Sequence, residues 1–429
     1  MITKIASLSK SKFVRNVATV ATGTAGAQAI SIAFSPIITR LYGPDSFGLL
    51  GVFMALVAVL APLAALTYPI AIVLPKEDSD ARALGWLSFY IAFSMSSFFA
   101  IVIVIWGELL LGLVGLEAIV AYSMLIPIAM FFSAILQIAR QWLIRKKQFK
   151  VTAKVALYQA LIISSIKTGL GFLNPIAFFL IIVSVAGSIL QAIMLWAGIR
   201  KVQKNQQVKQ KYSKTELKQI AIDHKDFPIY RAPQIFINAI SQGLPVIMLA
   251  SFFGPAAAGF YALSKTVLDM PIGLIGQSVS DVFYPRINEA AHNNENLTKL
   301  LTKATLVLSA VGIIPFGIVI AFGPWLFEFV FGQGWDKAGE YAVWLSIFLF
   351  FNFINKPTVA AVPILELQGG LLFYEVFSTG LKFISIMVGF FVFKDDLVSI
   401  MLFSISGAIS YIFMICWILI KSKSRKTNE

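Results

Sequence analysis

Apolar residues dominate this chain in runs too long for a buried soluble helix, and polar residues collect in the gaps between the runs. A helix needs about 20 mostly apolar residues to cross the hydrocarbon core of a bilayer. Runs of that kind predict six helices at about 17–39, 47–74, 84–107, 112–139, 153–173 and 175–199. Six more follow at about 229–253, 256–284, 300–323, 340–364, 370–393 and 397–420. Turn chemistry separates most of them, as at Gly43-Pro44-Asp45, Asn174-Pro175, Gly254-Pro255 and Lys394-Asp395-Asp396. One long polar stretch interrupts the pattern. Arg200–Lys225 carries eight Lys/Arg against Glu216 and Asp223, and it reads as a solvated or disordered linker. The expected protein is an all-α integral membrane protein of twelve transmembrane helices. Residues 1–199 hold an N-terminal six-helix lobe, residues 200–227 a basic connector, and residues 228–429 a C-terminal six-helix lobe.

Composition agrees with a membrane setting. Of 429 residues, 58% are hydrophobic and only 13% are charged, whereas a soluble domain carries about 25% charged residues. Mean hydropathy is +0.82. In a soluble chain a net charge of +14 would suggest nucleic acid; here it follows from basic loops held on the cytoplasmic side, and no nucleic-acid partner is expected. With the N-terminus inside, the inner segments hold 27 Lys/Arg and the outer loops hold three, Arg40, Lys337 and Lys394. Both termini are therefore expected in the cytoplasm, and the protein in a bacterial inner membrane. The basic start followed by Ala27-Gln28-Ala29 imitates a cleavable leader, but the apolar run continues to Ile38 and reads as a spanning helix. A single cysteine, Cys416, provides neither a disulfide framework nor a thiol metal site, and no cofactor is expected.

Six helices per half bring both halves into the membrane in the same direction, so a parallel duplication should leave a trace. LYGPDSFGLL (41–50) pairs with FFGPAAAGFY (252–261), matching Gly43, Pro44 and Gly48 to Gly254, Pro255 and Gly259 at a constant offset of 211. A weaker echo pairs Tyr68-Pro69 with Tyr284-Pro285, each expected to end the second helix of its half. The stretch from Arg40 through Gly48, with YPIAIVLPKE (68–77) and GPAAAGFYALSK (254–265), resembles the bacterial polysaccharide flippases. These are the O-antigen and capsule repeat-unit exporters of the multidrug/oligosaccharidyl-lipid/polysaccharide (MOP) superfamily. That resemblance implies two six-helix lobes around a central cavity open alternately to each side.

Charges inside a bilayer are costly and face protein or water. Eight fall in the predicted helices: Lys167, Arg231, Lys265, Asp269, Asp281, Lys356, Glu375 and Lys382. Five positive against three negative charges suit an anionic substrate, such as a pyrophosphate on a lipid carrier. Helical spacing places Arg231, Gln234 and Asn238 on one stripe, Asn352, Asn355 and Lys356 on another, and Glu375 with Lys382 on a third. The expected substrate contacts are Lys167, Arg231, Gln234, Asn238, Lys265, Asn352, Asn355, Lys356 and Lys382. Asp269 and Glu375 are the expected ion-coupling residues. Pro357 falls within the predicted 340–364 helix, where it frees a backbone carbonyl.

The expected function is transport of a lipid-linked oligosaccharide repeat unit across the cytoplasmic membrane. Expected partners are membrane lipid, that anionic glycolipid and other membrane proteins of glycan assembly. A cation-coupled multidrug antiporter of the same superfamily is one alternative, opposed by the positive excess. A membrane enzyme of glycan assembly is another, and it lacks a catalytic constellation on the short outer loops. No phosphate-cradling Gly-rich loop with Lys-Ser/Thr is present, so the chain is not expected to hydrolyse ATP or to act as an enzyme.

Overall fold

Every regular element among the described residues is helical. The computed structural model describes residues 12–202, 212–293, 295–365 and 367–424. The chain forms two compact units, Met1–Ile247 and Met248–Glu429.

The first unit opens with α1 (12–42) and α2 (44–64), joined at Gly43. It continues through α3 (Tyr68–Ala71), α4 (Asp78–Leu113), α5 (Leu125–Arg145), α6 (Phe149–Leu173), α7 (Ala177–Val202) and α8 (Lys214–Asp223), and α9 (Ala232–Phe253) carries the chain past its end. The second unit contains α10 (Pro255–His292), α11 (Leu297–Phe331), α12 (Asp336–Ile354), α13 (Lys356–Ala361), α14 (Gln368–Val388) and α15 (Asp396–Ser424). Ten stretches of the described residues are long and apolar enough to cross a membrane. Thr22–Ala64 is one of those ten although it holds both α1 and α2, and the 38-residue α10 lies outside them. With these two added, the membrane helices are the expected twelve.

Lipid explains what these helices leave uncovered. Phe93, Ile101, Val104, Ile105 and Leu109 of α4, with Ile313, Ile314, Phe322, Trp325 and Phe329 of α11, are 57–67% exposed. Within the bundles, small residues let backbones approach. A Cβ placed on Gly26 of α1 would lie 2.7 Å from Leu157 of α6, and one on Gly323 of α11 would lie 2.7 Å from the Gly339 carbonyl of α12.

The duplicated Gly-Pro motif has the same backbone form in both units. Gly43 adopts φ 68°, ψ 172°, and Gly254 adopts φ 90°, ψ 173°, each just before the proline that starts the next helix. Proline suits a first helical position, and glycine supplies the positive φ that other residues resist. No heavy atom would lie within 4 Å of a Cβ at either glycine, so an alanine there meets backbone strain without a clash. Gly43→Ala and Gly254→Ala are each expected to cost about 1–3 kcal/mol of unfolding free energy, measured by thermal unfolding in detergent. Gly273→Ala, also in open space but on α10, serves as the helical control and should not destabilise. Equal melting of all three variants and the parent would disprove the strain argument.

The structure corrects four local expectations. The weaker echo fails, because Tyr68-Pro69 opens α3 after a break whereas Tyr284-Pro285 lies inside uninterrupted α10. The fourth predicted helix begins late, at Leu125, because Gly115 at φ 68° and the short turn Glu117–Tyr122 occupy its expected start. The 340–364 helix is broken at Asn355, since Pro357 cannot donate a backbone bond to the preceding turn. Part of the connector is ordered: Ser213 and Glu216 form a reciprocal capping box that starts α8.

Candidate functional site

Five of the residues chosen from the sequence meet within the second unit. One turn apart on α10, Lys265 and Asp269 form an ion pair. Their side chains are 28% and 41% exposed, so the pair is not sealed and both groups can reach a ligand. Lys356, at the start of α13, lies in the electrostatic field of Asp269. On α14, Glu375 and Lys382 sit two turns apart, and the charge of Glu375 acts on Lys382. Tyr411 of α15 borders the second group, its ring centre 5.4 Å from Lys382 Nζ.

Aromatic rings hold the ammonium of Lys382. Its Nζ lies 5.2 Å from the Phe348 ring centre and 5.4 Å from that of Tyr411, and those two rings stack at 5.5 Å. A cation over ring faces is stabilised by the ring quadrupole without being neutralised. The hydroxyls of Tyr374 and Ser378, one turn apart on α14, are both buried. Together these helices place three lysines, two carboxylates and several hydroxyls in one membrane-embedded cluster.

Other chosen residues lie elsewhere or serve the fold. Asn355 is 1% exposed; its amide donates to Met414 Sδ at 3.3 Å. The Thr358 hydroxyl bonds both the carbonyl and the side chain of Asn355. Asn355 therefore stitches the α12–α13 break and is not displayed to a ligand. Asn352, partly buried, lies one turn earlier on α12. Lys167 belongs to the first unit; its carbonyl accepts a 2.9 Å bond from the Tyr42 hydroxyl, and its ammonium has no ion-pair partner among the described residues. Arg231, Gln234 and Asn238 are exposed, with Arg231 Nη1 donating to Gln234 Oε1 at 2.9 Å. The side chain of Asp281 lies outside the described residues.

Two arrangements escaped sequence reasoning. Arg145, at the end of α5, clamps the turn that precedes α4. Its Nε meets Asp78 Oδ1 at 3.0 Å, Nη1 donates to the carbonyls of Pro75 at 2.6 Å and Ile72 at 3.3 Å, and Nη2 donates to that of Lys76 at 3.2 Å. Lys146 pairs with the other oxygen of Asp78. The connector is also tied down. Hydroxyls of Thr67, Tyr68 and Tyr212 donate to the carbonyls of Phe227, Ala221 and Ser79, each at 3.0 Å. Burial raises the Tyr68 and Tyr212 phenols above their ordinary range, which keeps them protonated as donors.

Comparison with known proteins places this geometry. Succinoglycan biosynthesis transport protein ExoT of Rhizobium meliloti (strain 1021) is 24% identical over 367 residues, covering 82% of this chain and 68% of that one. An inward-facing multidrug resistance MATE family transporter of the MOP superfamily aligns with a TM-score of 0.69 at 13% identity, over 93% of this chain and 96% of its own. Lipid II flippase MurJ, in an inward closed conformation, aligns with a TM-score of 0.67 at 13% identity, over 93% and 87%. At such identities the structural likeness is one of fold, which this chain shares with both of these proteins. Residues 37–340 match the family described as Polysaccharide biosynthesis protein. That span takes in the duplicated Gly-Pro turns, the clamped loop and the Lys265–Asp269 pair, and the chain belongs to this family of polysaccharide biosynthesis proteins.

Proposed function

We propose that this protein carries a polyprenyl-pyrophosphate-linked oligosaccharide repeat unit from the cytoplasmic to the outer leaflet, by alternating access, for surface polysaccharide assembly. The observation that carries this reading is the cluster of Lys265, Lys356 and Lys382 with Asp269 and Glu375 inside the bilayer. Three cations against two anions leave a net positive field for a pyrophosphate. Lysine offers a point charge that holds a phosphate and releases it again. Asp269 and Glu375 are the proposed coupling carboxylates, because an arriving cation or proton would change which lysine each one neutralises. Lys167, Arg231, Gln234 and Asn238 are proposed as further substrate contacts. The Lys/Arg asymmetry supports an inner-membrane orientation with both termini and the connector in the cytoplasm.

Loss of the protein is expected to abolish surface glycan and to accumulate lipid-linked repeat units on the cytoplasmic side of the membrane. Lys265→Ala, Lys356→Ala and Lys382→Ala should each impair export at unchanged protein level, and Lys→Arg should do less harm. Normal export by all three alanine variants would refute the cationic site. Normal surface glycan without accumulation, when the protein is absent, would refute the transport assignment.

A further inference from the structure

The first unit carries an amphipathic groove, remote in sequence from the lysine cluster, where α4, α5 and α7 meet. Two cavities of about 300 Å³ and 900 Å³ share Phe89, Ile135 and Trp196 in their walls, so they adjoin across those side chains. Such volumes are those of small-molecule sites. Its lining is apolar and aromatic apart from Arg82, Arg200 and Lys201, and it contains no acidic side chain. Nearby Asp78 is already committed to Arg145 and Lys146.

The order of side chains with depth is informative. On α4, Arg82, Trp86, Phe89 and Phe93 follow one another at helical spacing, from the start of the helix inward. On α7, which ends at the same level, Arg200, Trp196 and Ile193 repeat that order in reverse chain direction. Two helices of opposite direction thus present the same gradient: cation at the rim, indole below it, hydrocarbon deepest. Tryptophan sits at headgroup level in bilayers, and long basic side chains reach up to the phosphates. Trp86 and Trp196 are 49% and 42% exposed, and they face the groove rather than a packed core. Arg82 is steadied at the rim by Nε donating to the Asp78 carbonyl at 3.2 Å, and Arg200 and Lys201 are exposed with no ion pair among the described residues.

We propose that this groove binds one anionic diacyl phospholipid, with its phosphate on Arg82, Arg200 and Lys201 and its two chains in the two adjoining cavities. Charge complementarity selects the anionic headgroup, since three cations meet no carboxylate. Two adjoining apolar cavities suit two chains. The ends of α4 and α7 at the rim adjoin the basic connector, which assigns the lipid to the leaflet on that side. The site rests on the first unit alone and does not depend on the substrate proposed above.

Native mass spectrometry of the full-length, delipidated protein tests the assignment, with dioleoyl phosphatidylglycerol and dioleoyl phosphatidylethanolamine as probes. The expected result is one phosphatidylglycerol bound more tightly than phosphatidylethanolamine. The double variant Arg200→Gln/Lys201→Gln should weaken phosphatidylglycerol roughly thirtyfold, the effect of two surface charges on an anionic lipid. Phosphatidylethanolamine should be almost unaffected. Trp196→Ala should weaken both lipids, and Lys299→Gln/Lys303→Gln in the second unit should weaken neither. Equal binding of the two lipids by the parent protein, or full phosphatidylglycerol affinity in the double variant, overturns the proposal. A photoactivatable phosphatidylglycerol should label the segment 193–201 of the unmodified protein, and labelling elsewhere alone also overturns it. Tighter binding of undecaprenyl phosphate at the same residues would assign the groove to the glycan carrier and overturn the phospholipid assignment. Surface glycan export is read separately, so failure here leaves the transport reading untouched.

Discussion

Arg145→Ala is expected to destabilise the first unit by about 3 kcal/mol, seen as a lower melting temperature in detergent and faster proteolysis of the 72–78 turn. One guanidinium there satisfies Asp78 and three main-chain carbonyls, and its side chain is only 10% exposed. Removing it strands the carbonyls of Ile72, Pro75 and Lys76 and deletes a stem packed at the α4–α5 junction. Asp78 would keep Lys146, which limits the loss. Lysine cannot replace the planar fork, so Arg145→Lys should recover only part of the stability. Lys146→Ala removes a more exposed partner and should cost under about 1 kcal/mol. Equal effects of Arg145→Ala and Lys146→Ala would reduce the clamp to an ordinary surface ion pair. The clamped turn is the end of YPIAIVLPKE, one of the stretches that carried the family resemblance. Its backbone is held from outside, by carbonyl contacts that its own residues do not reveal.

Placement of the helices was legible because a bilayer imposes a length: about 20 apolar residues must follow one another, whatever the tertiary fold. The outer turns were legible because their φ near 70–90° admits glycine readily and little else, which made Gly43 and Gly254 recognisable as equivalents. The internal break at Asn355 was half legible. Pro357 signalled a lost hydrogen bond, but Asn355 looked like a cavity amide when its polarity serves that break. Tyr411 and Tyr374 went unnoticed because an aromatic residue in an apolar helix reads as lipid-facing, and only the packing of α10, α14 and α15 turns them toward charge. The connector was misread in part. Its charge suggested a solvated or disordered linker, although Ser213-Lys214-Thr215-Glu216 already carried the spacing of a capping box. The pairing of Lys265 with Asp269 followed from spacing alone; the approach of Lys356 to the same carboxylate needed the fold.

That shared carboxylate makes the second large effect a matter of which charge is removed. Asp269 pairs directly with Lys265 and acts on Lys356 through space. If the three groups only neutralise one another during insertion, deleting Lys265 and Asp269 together should be milder than deleting either, because one stranded charge costs more than none. If Asp269 couples transport to an ion, Asp269→Asn should abolish export whether or not Lys265 is present. If Lys265 binds the pyrophosphate, Lys265→Ala should be defective and Asp269→Asn tolerated. The third pattern requires an open direction in which the ammonium can meet a ligand, and the partly exposed Lys265 side chain has one. The expected outcome is a loss of export of about tenfold to a hundredfold in Lys265→Ala, the scale of one charge-assisted contact. Asp269→Asn should lose much less, and the double variant should be no better than Lys265→Ala. Surface glycan measured at matched protein levels decides among the three patterns, and rescue in the double variant would remove Lys265 from the substrate site.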